Sequence, residues 1–67
     1  MEIYINGEVS SIEDSTSLLL LLEQHNFAQK LGIAVAVNNV VVRKDLWKKH
    51  ILNNNDKVLV ISATKGG

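Results

Sequence analysis

The segment at 56–62, DKVLVIS, limits the fold more than any other stretch of the chain. Val58, Leu59, Val60 and Ile61 place apolar side chains on both sides of what reads as a strand, the pattern of a strand at the centre of a sheet. Other strands must then run along both of its edges, and something must cover at least one of its faces. The rest of the sequence has to supply both.

Period-two alternation supplies the strands. In MEIYINGE, Ile3 and Ile5 alternate with Glu2, Tyr4 and Asn6, and Asn6-Gly7 is a strong hairpin signal because both residues tolerate positive φ in a two-residue turn. A second strand is expected to about Ile12, which closes the hydrophobic layer. After Gly32, IAVAVNNVVV sets Ile33, Val35 and Val37 on one side and Ala34 and Ala36 on the other. Asn38-Asn39 then reads as a turn into a short strand over 40–42.

The cover comes from the leucine run at 18–22. Five leucines fit any period, but Leu18, Leu21, Leu22 and His25 follow the i, i+3, i+4, i+7 spacing of one helical face, and Glu23, Gln24 and Gln29 favour helix. The pattern predicts one main helix over about 17–29, capped by Ser15 or Thr16, with Leu19 and Leu20 off the buried stripe. RKDLWKKHIL predicts a short helical turn or loop, and NNND a loop.

The order strand, strand, helix, strand, short strand, strand predicts an α+β domain: a mixed sheet of four or five strands with one main helix across one face. A single helix leaves the other face bare. Either Val58 and Val60 or Leu59 and Ile61 then form an apolar patch suited to a partner. Leu59 and Ile61, beside Tyr4, are the candidate interface.

With 67 residues the chain has room for one modest core, and its 46% hydrophobic share is mostly Leu, Val and Ile. The absence of cysteine excludes disulfides, thiolate metal sites and thiol nucleophiles. Residues 1–6 carry no basic signal region and the leucine run is far below membrane-spanning length, so a cytoplasmic protein without a membrane role is expected. Net charge is zero but segregated: Glu2, Glu8, Glu13, Asp14 and Glu23 precede residue 30 with no Lys or Arg among them, whereas the remainder holds every Lys and Arg. Without a net positive charge, nucleic acid is not an expected partner. The basic stretch at 43–49, with Arg43 and Lys44 at its head, reads as a solvated segment or as a docking surface for an acidic partner.

Candidates for side-chain chemistry are few. His25 and His50 stand outside any metal-ligand spacing and read as structural or surface residues. No Ser, His and Asp set stands out, and Gly7 and Gly32 make no phosphate-cradling loop. A ligand pocket of about 300 Å³ or more is volume that so small a core can scarcely spare, which argues against an enzyme. Trp47 reads as a lid on the core or as an interface anchor.

The tail remains. Two glycines at the last two positions arise by chance in about 0.5% of chains at average glycine usage. The run through Thr64, Lys65, Gly66 and Gly67 reads as a frayed end or as an extension that enters another protein's active site. Without Cβ atoms, glycines let the backbone thread a narrow channel. A carboxylate is a poor electrophile, so chemical use of Gly67 requires activation, normally adenylation with AMP as leaving group.

Taken in order, INGE, TSLLLLLEQHNF, AVAVNNVVV, RKDLW and NDKVLVISATKGG resemble the β-grasp sulfur carriers of the thiamine-biosynthesis type (ThiS), over essentially the whole chain. Asn39 stands where the family commonly has a turn glycine. The resemblance implies a ubiquitin-like β-grasp domain over 1–63 and a flexible Gly-Gly tail over 64–67. It also implies that Gly67 is adenylated by an E1-like (ThiF-type) adenylyltransferase and converted to a thiocarboxylate by a persulfide relay from a cysteine desulfurase. A ThiG-type thiazole synthase consumes that thiocarboxylate. Thr64, Lys65 and Gly66 would thread the partner's active site. The chain itself would be a carrier and not an enzyme, with no bound cofactor; ATP with Mg²⁺ belongs to the adenylyltransferase. Two rival readings keep the same fold: the small subunit of molybdopterin synthase or a ubiquitin-like modifier, and a passive interaction module whose glycines are incidental.

Overall fold

The computed structural model describes residues 1–28 and 32–62. Five strands form one sheet: β1 (Glu2–Ile5), β2 (Glu8–Ser11), β3 (Ile33–Val37), β4 (Val40–Val41) and β5 (Lys57–Ser62), in the order β2-β1-β5-β3-β4. β5 is the central strand, parallel to β1 and antiparallel to β3, so the sheet is mixed as the sequence predicts. One helix, α1 (Leu18–Gln24), covers one face.

Both hairpins close through asparagine. Asn6 and Gly7 have φ of 50° and 87°, and Asn38 and Asn39 have 53° and 71°, the paired positive values of the two-residue turn whose twist matches the strands it joins. Asn39 thus adopts the left-handed conformation that a glycine takes most easily, which asparagine tolerates better than other side chains. Asn38 also braces the turn against β5: its Oδ1 accepts the Lys57 N–H at 3.0 Å, and its Nδ2 donates to Asp56 Oδ1 at 2.9 Å.

The helix differs from expectation at both ends. Its cap is neither Ser15 nor Thr16 but Ser17, whose Oγ accepts the Leu20 N–H at 3.1 Å. Thr16 is buried and donates its hydroxyl to Glu13 O at 2.6 Å. The other end stops at Gln24 rather than near 29, because Asn26 takes φ 62°. Its N–H donates to Glu23 O at 3.2 Å and that of Phe27 to Leu22 O at 2.8 Å, the paired bonds that terminate a helix around a left-handed residue. Leu18, Leu21 and Leu22 are buried, Leu19 is half-buried and Leu20 is exposed, as the stripe predicts, but His25, its expected fourth member, is exposed because the helix ends one residue before it.

The first turn of α1 meets the basic segment. A 3₁₀ turn at Lys44–Leu46 leads into a bend whose carbonyls accept orphan N–H groups of the helix: Leu19 donates to Trp47 O at 3.1 Å and Leu18 to His50 O at 2.8 Å. Trp47 is 2% exposed, and its Nε1 donates to Val42 O at 2.9 Å. It belongs to the core with Ile3, Leu18, Leu21, Leu22, Val35, Val37, Val42, Leu52 and Val58, so of its two readings the lid holds. The expected 64–67 tail lies outside the described residues.

Candidate functional site: the open face of the sheet

Register fixes which residues share the uncovered face. Tyr4 pairs with Val9 on β2 and with Lys57 on β5. Leu59 pairs with Ala36, which pairs in turn with Val41, and Ile61 pairs with Ala34. Partners directly opposite in a sheet point to the same side. Tyr4, Val9, Ala34, Ala36, Val41, Lys57, Leu59 and Ile61 therefore line the face away from α1, while Ile3, Ile5, Val35, Val37 and Val58 line the covered one.

The choice left open on β5 is thereby decided. Val58 is buried and Val60 half-buried, whereas Leu59 and Ile61 are 48% and 51% exposed. The face is a broad apolar surface, since Val9 and Val41 are exposed as well. Tyr4 is half-buried among them. Exposed apolar side chains gathered on one face mark an interaction site more often than the same residues scattered singly. Val9 and Val41 were not singled out by sequence. The signal was their pairing with Tyr4 and Ala36, which requires register that short strands do not disclose on their own.

Arg43 and Lys44 come after β4 with buried Val42 between, and both are exposed. Arg43 Nε lies 3.4 Å from Asp45 Oδ1, an ion pair exposed on both sides and of little energetic weight. Lys44 has no ion pair among the described residues. The two cations lie on the link from β4, the strand that carries Val41, to the 3₁₀ turn at Lys44–Leu46. Thr64, Lys65, Gly66 and Gly67 lie outside the described residues; β5 is the strand that leads toward them.

Side-chain chemistry has little to work with. No cluster of three or more His, Asp or Glu among the described residues is arranged to hold a metal. His25 forms the C-cap of α1, and His50 supplies the carbonyl that receives Leu18 N–H. Asp56, the buried carboxylate, is committed to structure, with Oδ2 accepting the Asn53 N–H at 2.8 Å in addition to the bond from Asn38. A hollow of about 420 Å³ between β2 and the end of α1 reaches ligand-site volume, but it is a surface feature walled by exposed and half-buried side chains such as Glu8, Val9, His25 and Phe27. No helix among the described residues is long and apolar enough to cross a membrane.

The sulfur carrier protein ThiS of Escherichia coli (strain K12) is 30% identical over 67 residues, the whole of both chains. The uncharacterized protein ycf40 of Trieres chinensis is 30% identical over 64 residues, covering 96% of this chain and 86% of that protein. The crystal structure of the thiamine biosynthesis protein ThiS from Geobacter metallireducens superposes over the full length of both chains with a TM-score of 0.85 at 23% identity, so the β-grasp fold is shared. The family model described as the ThiS family matches residues 3–67, and the chain belongs to that family.

Proposed function

We propose that this chain is a cytoplasmic sulfur carrier that works through the carboxylate of Gly67. An E1-like, ThiF-type enzyme using ATP and Mg²⁺ joins the carboxylate to AMP and releases pyrophosphate. The outer sulfur of a persulfide, supplied by a cysteine desulfurase relay, attacks the activated carbonyl and AMP departs. A thiol then reduces the acyl disulfide, leaving a thiocarboxylate on Gly67. A ThiG-type thiazole synthase takes the sulfur for thiamine biosynthesis. The chain contributes no catalytic group and acts as a protein co-substrate.

The observation that carries this reading is the family match running through Gly66 and Gly67, joined to a full-length relative that is itself a sulfur carrier. Membership of the ThiS family, the thiamine-biosynthesis type that the motifs resemble, is what sets the thiamine pathway ahead of molybdopterin synthase or protein modification. With no cysteine in the sequence, no side-chain thiol offers a place for transferable sulfur. The exposed sheet face gives the passive part of the task a surface. Tyr4, Leu59 and Ile61 dock on the transfer enzymes, Arg43 and Lys44 steer an acidic rim, and Thr64, Lys65 and Gly66 thread the active site.

Incubation with the cognate adenylyltransferase, ATP, Mg²⁺ and a persulfide source, followed by intact-mass analysis, tests the proposal. The expected product has one oxygen replaced by sulfur. A chain that binds these enzymes and never changes mass is a passive module.

A further inference from the structure

The open face is not uniformly apolar. At its end nearest the two tight turns lies a cleft of about 380 Å³ lined by Tyr4, Asn6, Asn39, Lys57, Val58 and Leu59. Its walls are carbon-rich, and its one charged group is the cation of Lys57. Lys57 makes no ion pair with any described residue. Asn6 spends its Oδ1 on the Val60 N–H at 2.9 Å, which leaves its Nδ2 as the group still able to bond. The Tyr4 hydroxyl makes no hydrogen bond to a described residue. No carboxylate lines the cleft.

A site with an ammonium, an amide N–H and a phenol beside apolar walls complements one kind of occupant: an anionic acceptor on a short hydrocarbon stem. We propose that this cleft receives a Glu or Asp side chain of the adenylyltransferase, its methylenes against Tyr4 and Leu59 and its carboxylate on Lys57 Nζ. The inference rests on the docking role assigned above to the open face. Lys57 begins β5 and Ser62 ends it, five residues or about 17 Å farther along. A contact at Lys57 therefore holds the start of the strand whose other end leads to Gly67. Two fixed points set the direction in which the tail leaves, which one apolar patch does not.

The test is the dissociation constant for the cognate adenylyltransferase, measured calorimetrically at low and high salt on the full chain. Lys57 is exposed, so its variants should keep the wild-type melting temperature. Lys57→Glu should weaken binding by about tenfold or more at low salt, Lys57→Gln by several-fold with a shallower salt dependence, and Lys57→Arg by no more than about twofold. Wild-type affinity and salt dependence in both the Gln and Glu variants, while Leu59→Ala weakens the complex, would overturn the carboxylate assignment and leave the docking face standing. Loss of effect in all of these, Leu59→Ala included, would overturn both. Sulfur loading of the wild type is read separately by mass, so failure of the carrier reading is not confused with either result.

Discussion

Alternate positions on β5 should answer differently to the same substitution. Val58, at 2% exposure, sits on the core face, whereas Leu59 and Ile61 are about half exposed on the other. Replacing Val58 with Ala removes two buried methyl groups at about 0.8 kcal/mol each and leaves a small cavity, a loss of about 2 kcal/mol. In a domain of this size that lowers the melting temperature by about 10 °C. Burying a whole Leu or Ile side chain is worth about 1.5–3 kcal/mol, so roughly half of that, about 1 kcal/mol each, is still to be gained when Leu59 and Ile61 are covered by a partner. The double variant Leu59→Ala, Ile61→Ala should therefore weaken the complex with the adenylyltransferase by up to about thirtyfold. Val58→Ala, measured below its melting transition, should bind as the wild type does, because the Val58 side chain is buried on the covered face and only its backbone borders the cleft between Lys57 and Leu59. Differential scanning calorimetry and titration calorimetry on the three proteins make the comparison. A double variant with wild-type affinity, or one whose stability falls by far more than that of Val58→Ala, would refute the assignment of faces.

Reversing the charges of Arg43 and Lys44 should slow association and flatten its salt dependence in stopped-flow measurements, with stability unchanged within about 0.5 kcal/mol because the Arg43–Asp45 pair is exposed. Trp47→Phe deprives the Val42 carbonyl of its indole partner and should cost about 1–3 kcal/mol in denaturant unfolding, while affinity for the partner enzyme holds. Gly66→Ala puts a Cβ where a narrow channel must admit backbone, and should slow sulfur loading of Gly67 in a timed mass assay. Equal loading rates would count against threading.

Much of this fold was legible in the sequence because its signals are local. Ile3 and Ile5 alternate cleanly, Asn6-Gly7 turns where its φ preferences allow, and the doubly apolar run at 58–61 is central. What escaped was decided by tertiary geometry. Ser15, Thr16 and Ser17 are all capping residue types, and only the backbone path selects Ser17, since Thr16 is drawn inward with its carbonyl accepting the Leu52 N–H at 2.9 Å. The end of α1 hung on Asn26 adopting positive φ before apolar Phe27, a signal weaker in sequence than a glycine would have been. The faces of β5 were undecidable from composition because both alternate sets are aliphatic; coverage by α1 separates them. Tyr4, Leu59 and Ile61 were placed together on the open face by register, and Val9 and Val41, which complete it, became visible only through their paired neighbours.

Intact-mass spectrometry shows whether Gly67 carries the sulfur. Wild-type chain and a variant lacking Gly67 are incubated in parallel with the adenylyltransferase, ATP, Mg²⁺, the cysteine desulfurase and cysteine, then weighed before and after mild hydrolysis. The wild type should gain one sulfur in place of one oxygen, lose it on hydrolysis, and yield a C-terminal peptide in which the change maps to Gly67. The variant, with its carboxylate one residue short of the reacting position, should remain unchanged. Loading of the shortened chain at the wild-type rate, or a wild type that binds its partners and never acquires the sulfur, would contradict the carrier account.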